Sequence, residues 1–268
     1  MRKNFAQVLK EGKVDIKREY DRLFFLLYDP RGNFGSGVSL YQEINDDFMD
    51  IWFRGTALNL DDFNQEYGFK FEASPTDFDL DYLVRFCEYF YNLLICSGLD
   101  PAYDVEQVLR VIERIGYMQT SQDGYTIFVE KDAAAISVSE ILPSDLSYKV
   151  IEYNHHSMKG DIDGKKAILK LMADQLEPRG KELNHIDGQF KKDLFNAFNN
   201  MNIRHNNTDQ KDSGNYRKYV AEMDKAELEK WYDEIYQMCL LAFMRLEHTA
   251  RKPKFDELMR KVNEIEEQ

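Results

Sequence analysis

Apolar residues recur at helical spacing through almost all of this chain and at strand spacing in one place only, so its side chains suit a mainly α fold. The pattern is cleanest after Asp187, where Phe190, Leu194, Phe198 and Met201 fall at i, i+4, i+8 and i+11 on one helix face. Residues 14–28 form an earlier amphipathic helix, ended by the turn cluster Asp29-Pro30-Arg31-Gly32. Ser39-Leu40-Tyr41-Gln42 is a capping box ahead of Leu40, Ile44, Phe48 and Ile51. Asn59–Tyr67 predicts a short helix closed by Gly68, and Asp79–Ser97 a long, highly apolar one stopped by Gly98. Asp100-Pro101 supplies an N-cap with proline at the first helical position, and Gly116 ends that helix.

Strand spacing appears at Tyr117–Gln119 and Tyr125–Val129, joined by the turn residues 121–124, which predicts a hairpin. Ile136–Val138 reads as a third short strand. Two helices followed by a hairpin have the order of a winged helix, which leaves a DNA-associated regulator as one reading, although the region holds few bases. Pro143 marks the expected boundary between a helical N-terminal domain, 1–142, and a C-terminal domain, 143–268. Beyond it, helices are expected from Ser144 to about His156, from Gly164 to near Leu183, and from Asp187 to Met201. Asp224-x-x-Glu227 opens a long helix turning Leu228, Trp231, Ile235, Met238 and Ala242 to a core, and a last amphipathic helix carries Phe255, Leu258, Val262 and Ile265. Helices joined by short loops predict an antiparallel bundle.

At 268 residues, 43% hydrophobic and 31% charged, the chain can bury one large core or two moderate ones. It has no apolar run approaching the ~20 residues of a membrane span, and its start lacks the apolar region of a signal peptide. Cys87, Cys96 and Cys239 are odd in number and lie in apolar helical patterns, which suits a reducing cytoplasm. A net charge of −13 argues against a non-specific grip on a nucleic-acid backbone. Residues 39–81 hold eleven acids against Arg54 and Lys70, a local charge of −9. That stretch is either a solvated face or a docking surface for a partner protein. Residues 181–218 hold seven bases against five acids, +2, an electropositive stretch on an acidic chain.

Within that stretch Arg204 and His205 stand side by side among the five asparagines of 199–207. Arginine offers a planar fork matched to phosphate, and histidine titrates near neutrality and can move protons. Metal-independent RNA cleavage needs a base, an acid and a cation for the developing charge. Arg204 and His205 are therefore the candidate catalytic pair, with Asn200, Asn206 and Asn207 as candidate substrate-binding amides. The alternative is structural: Arg204 pairs with a carboxylate, His205 satisfies helix-end carbonyls, and the asparagines make turns.

The helical C-terminal half, with Arg204-His205-Asn206-Asn207 in the loop before a long penultimate helix, resembles the HEPN superfamily of helical bundles, especially those of bacterial abortive-infection proteins. The similarity covers roughly residues 145–250 and includes Glu152-Tyr153-Asn154-His155-His156 and Gly160-Asp161. Phe53-Arg54-Gly55-Thr56, leading into Leu60-Asp61-Asp62-Phe63, extends it upstream. The resemblance implies a phage-defence endoribonuclease acting on RNA, built at a homodimer interface where arginine and histidine flank the scissile phosphate without metal. The family separates the two residues by several positions. Here they are adjacent, and adjacent side chains diverge by about 100° on a helix, so the loop must re-aim them.

His155-His156 lacks the i, i+4 spacing of two ligands on one helix face, so the pair is expected to line the Arg204 pocket or to complement a helix end. Asp161-Ile162-Asp163-Gly164 begins like a calcium loop, but its twelfth position is Met172, and a capping turn is expected instead. The chain has no phosphate-cradling glycine loop, Gly-x-Ser-x-Gly or CxxC, so neither metal nor cofactor is expected. Two readings remain: the endoribonuclease, or a non-catalytic scaffold or regulatory module in a defence system.

Overall fold

The computed structural model describes residues 14–32, 37–47, 59–66, 70–97, 102–122 and 124–266. The expectations placed on Phe48, Ile51, 53–56, Gly68, Gly98 and Asp100-Pro101, and part of the acidic 39–81 stretch, lie outside the described residues. The fold is mainly α with one antiparallel hairpin. It divides into two compact units, 1–131 and 132–268. Among the described residues, no helix is long and apolar enough to cross a membrane.

The first unit holds α1 (Ile16–Tyr28), α2 (Leu40–Asp47), α3 (Leu60–Glu66), α4 (Leu80–Ser97), α5 (Ala102–Arg114), β1 (Tyr117–Gln122) and β2 (Tyr125–Glu130). Asp15, Ser39, Asn59 and Asp79 accept from amides three residues on, the N-cap bonds that start four of these helices. Thirteen of the eighteen α4 residues are buried, so the other elements assemble around it, with α1, α5 and β2 packing against it. Tyr20 of α1 sits wholly buried among Phe24, Phe78, Tyr82 and Phe86, its hydroxyl donating to the Glu72 carbonyl at 2.6 Å.

Gln122 pairs with Tyr125 across the hairpin, so Ser121 and Gln122 belong to β1 rather than to a turn. The connection is a two-residue loop, which the strand twist favours, and Gly124 has φ +89°. Side chains of α4 complete the edge of β2. Asn92 Oδ1 accepts from Thr126 N at 2.8 Å, its Nδ2 donates to Thr126 O at 2.7 Å, and Glu88 Oε1 accepts from Phe128 N at 2.7 Å. A one-turn step along the helix thus matches a two-residue step along the strand, and buried edge groups are satisfied without a third strand.

The second unit holds α6 (Ala133–Ser139), α7 (Ser144–Glu152), a 3₁₀ turn (His156–Met158), α8 (Ile162–Leu176), α9 (Gly180–Ile186), α10 (Gly188–Asn200), α11 (Lys218–Glu222) and α12 (Lys225–Glu266). The expected strand at Ile136–Val138 is helical, because Asp132 accepts from Ala134 N and Ala135 N and starts a helix in an alanine run. That helix buries Ala135 and Val138 in the second core, which sets the unit boundary ahead of Pro143. The helix expected to reach Leu183 is broken after Leu176 by Pro178 and resumes at Gly180.

The two expected C-terminal helices are one helix of 42 residues with Pro253 inside it. At that exposed position, water can take the carbonyl that proline leaves without a donor. The first half of α12 is the spine of the unit, packing against α6, α8, α9 and α10. Its buried face carries Leu228, Tyr232, Ile235, Tyr236, Cys239, Leu240, Phe243 and Leu246. Trp231, expected in the core, is one residue off that face and 47% exposed.

Asn92→Ala removes three hydrogen bonds and strands two backbone groups of β2. The expected cost is about 2–3 kcal/mol in urea unfolding, with faster hydrogen exchange at the Thr126 and Phe128 amides. Unchanged exchange at Thr126 would show that the helix does not hold the hairpin edge.

Candidate functional site

The loop between α10 and α11 is held by one side chain. Asn207 is fully buried. Its Oδ1 accepts from Asn202 N at 2.7 Å, and its Nδ2 donates to the carbonyls of Asn199 (3.0 Å) and Asn215 (2.6 Å). Its own N–H reaches Asn202 Oδ1, and its carbonyl accepts from Arg217 N at 2.8 Å. The helix end, the turn and the far limb of the loop therefore meet on one amide. Asn202 takes φ +59°, a conformation asparagine tolerates better than most residues. Ile203, 1% exposed, anchors the turn in the second core.

The candidate residues around this plug have different fates. Arg204 donates through Nη2 to Glu177 Oε2 at 2.6 Å, and its side chain is 24% exposed. Glu177 is the residue that closes α8, so the pair ties the loop to that helix end. Asn200 Oδ1 accepts from Arg217 Nε at 2.7 Å, and Arg217 Nη1 donates to the carbonyls of Gly214 and Tyr216. Asn206 is exposed and accepts from the Thr208 hydroxyl at 2.9 Å. His205 is exposed. Asp212, in the same loop, has its carboxyl held below the usual aspartate value chiefly by the Asn215 side chain, with a small contribution from His205.

Asn207 was expected to position substrate. Its burial and its filled hydrogen-bonding capacity correct that expectation: the group is spent on the loop. His155 and His156 are also separated from the Arg204 loop. The turn they begin leads into the start of α8, whereas Arg204 bonds to Glu177 past its end, and fifteen helical residues span about 22 Å. His155 is 8% exposed and caps the 3₁₀ turn, its Nδ1 lying 2.7 Å from Ser157 Oγ. The His156 ring lies 4.1 Å from it, centroid to centroid. Asp161 caps α8 by accepting from Gly164 N at 3.0 Å, as a capping turn requires.

Near that end of α8 is a polar cluster that sequence spacing did not single out. Lys165, 5% exposed, donates at 2.7 Å to both Glu229 Oε1 and Asp233 Oδ1 and lies 5.3 Å from the Tyr153 ring centroid. Tyr153 stacks on Tyr236 at 3.9 Å and 4°, and its hydroxyl donates to Asp233 at 3.0 Å. Tyr236 in turn donates to the Val150 carbonyl, so α7, α8 and α12 share one network. The available signal was Glu229 and Asp233 at i, i+4, two acids on one face of α12 with a lysine opposite. Burial acts to raise the Glu229 carboxyl. The Lys165 ammonium, the Gly160 amide and the charge of Lys159 more than offset it and leave the group below its ordinary 4.5.

Every member of this cluster has a partner inside the unit, so the network fastens α7, α8 and α12 together. Lys165→Met leaves the partly buried Glu229 without its cation and is expected to cost about 3 kcal/mol. Because the folded-state carboxyl is depressed, its contribution is complete above pH 4.5 and is lost as pH falls through the lower folded value. Chemical unfolding from pH 7 to 3 should therefore show an acid limb in the parent protein that Lys165→Met flattens.

Asn207→Ala is expected to lower stability by about 2–3 kcal/mol, while His205→Ala leaves it within about 0.5 kcal/mol. Thermal unfolding of both variants checks the contrast. No family model matches this chain, and neither curated proteins nor solved structures give a match.

Proposed function

We propose that this protein is a self-associating interaction module whose C-terminal helix pairs with that of a second copy. In this reading, its likeness to HEPN bundles is expressed as dimerisation and scaffolding rather than as RNA cleavage. The observation that carries it is an uncovered apolar stripe. Phe255, Leu258, Met259 and Val262 fall at i, i+3, i+4 and i+7 near the end of α12 and are 60, 54, 40 and 38% exposed. The described side chains from His248 to Glu264 are all exposed, and Leu241 and Met244 extend the same face backward. A helical segment with water on every side has little stability of its own, and a stripe of large apolar groups on it is a packing surface that lacks a partner.

Charge order favours a second copy as that partner. Arg251, Lys252 and Lys254 precede the stripe, and Glu264, Glu266 and Glu267 follow it in sequence. Two-fold antiparallel pairing brings the basic end of each tail to the acidic end of the other. The same operation, centred between Leu258 and Met259, lays Phe255 opposite Val262 and Leu258 opposite Met259. Parallel pairing would set like charges side by side. The loop geometry favours the non-catalytic side of the reading, since Arg204 is engaged by Glu177 and Asn207 is sealed in the loop.

A metal-independent endoribonuclease of defence type is the second reading. His205 is exposed in the loop that carries Arg204, with the ionised Asp212 nearby, and a two-fold dimer would bring two such loops into one particle.

Light scattering after size-exclusion chromatography is expected to give a dimer for the full chain. Leu258→Glu with Val262→Glu should give a monomer that keeps its two folded cores, since both sites lie outside them, while losing the concentration dependence of melting that a dimer shows. A monomeric parent protein would sink the proposal. RNA incubated with the protein in EDTA is expected to stay intact, and expression is expected to leave growth unaffected. Cleavage that disappears in both Arg204→Ala and His205→Ala would replace this reading with the ribonuclease.

A further inference from the structure

Four arginines from two distant segments converge on one cleft of the first unit, and we propose that this cleft binds a small ligand through a di- or triphosphate chain. Arg18 and Arg22 lie one turn apart on α1, and Arg110 and Arg114 lie one turn apart on α5. Together with Glu19 and Gln107 they line a cavity of about 370 Å³. Four guanidinium groups against Glu19 in the lining and Glu106 beside Arg110 leave a local positive surplus, on a protein of net charge −13. Like charges at i, i+4 on a helix are destabilising, and here two such pairs face the same space. Folding uses Arg22 and Arg114 to pair the buried Glu19, whereas Arg18 and Arg110 stand at exposed positions where an anion can engage them.

The cleft has a rigid floor. Glu19 is 7% exposed and accepts from Arg22 at 3.1 and 3.3 Å and from Arg114 at 2.5 Å, which fixes two forks before any ligand arrives. Gln107, 5% exposed, accepts from Arg22 through Oε1. A guanidinium can only donate, so this bond fixes the orientation of the amide. The Gln107 NH₂ group has no partner among the described residues and remains as a further donor at the cavity wall. Arg18 is exposed and has no ion pair among the described residues. Arg110 pairs with Glu106, but both side chains are more than half exposed, and such a pair exchanges readily for a stronger anion.

The lining also limits the ligand. Among the described residues it contains no aromatic or aliphatic side chain, so recognition falls chiefly on the phosphate groups themselves. Four guanidinium forks around one space can engage pyrophosphate or triphosphate at more oxygens than a single phosphate offers. Planar forks held by a buried carboxylate suit bidentate contact with adjacent phosphate oxygens.

Calorimetric titration of the full chain with sodium tripolyphosphate, pyrophosphate and orthophosphate tests this. The longer chains are expected to saturate one site, orthophosphate to bind at least tenfold more weakly, and affinity to fall steeply with salt. Arg18→Ala and Arg110→Gln, both at exposed positions, should each weaken tripolyphosphate at least tenfold with unchanged circular dichroism. Arg31→Ala, outside the cleft and paired with Asp29, should leave it unchanged. Equal binding by Arg18→Ala and Arg110→Gln, or no saturable binding of tripolyphosphate, would overturn the assignment. So would a short RNA without terminal phosphates that binds in an Arg18-dependent way when the inorganic chains do not.

Discussion

A helix that is apolar on nearly every side has to be enclosed, and enclosing α4 is the constraint from which the first unit follows. Helix α1, α5 and the hairpin each cover part of it, and each contributes the apolar half of its own surface to do so. Enclosure has a second consequence. Two polar residues that α4 carries, Glu88 and Asn92, are drawn inside with it and must find partners there. They find them on the edge backbone of β2, so one bonding pattern satisfies both the buried side chains and the strand edge. A third constraint falls on the outer faces. With α1 and α5 both turned inward onto α4, their remaining polar positions meet each other, and those positions include the four arginines of the cleft.

The second unit solves a similar problem with different chemistry. The first half of α12 buries its apolar face against four helices, while Glu229 and Asp233 sit at the margin of that face. Lys165 answers both acids from α8. A buried pair of this kind adds less net stability than its distances suggest, because removing the charges from water costs nearly as much as their attraction returns. Its effect is on register: α8 can meet α12 at only one height if one ammonium is to reach two carboxylates one turn apart. Past Leu246 the helix has left the core, and the same periodicity that packed its first half continues with nothing against it.

Periodicity therefore made the helices and the hairpin legible, and it misled where local chemistry overrode it. Ile136–Val138 has the β-branched texture of a strand, but Asp132 caps the alanines before it and the stretch coils. Pro178 and Pro253 carry the same local signal, yet only the first ends a helix. The difference lies in their surroundings: α9 has its own core contacts to make after the break, through Leu183, whereas the α12 tail has none that would reward turning away. The arginine cleft was invisible to charge counted along the chain, because residues 18–22 and 110–114 become neighbours only once α4 has been covered.

The asparagine-rich loop shows the limit more sharply. A side-chain amide that orients a substrate and one that ties three loop strands together are the same group with the same donors and acceptor, and sequence gives both the same letters. Burial separates them. Asn207, with no exposed surface, has exhausted its amide on the backbone, and that is why Asn202 can hold a left-handed turn and why His205 and Asn206 project from a fixed loop instead of a loose one. The residue that looked most like part of a site is the one that builds the platform. Whatever the loop contacts must then be read by its exposed members, His205 and Asn206 among them, with Arg204 entering only if a more demanding anion draws it from Glu177.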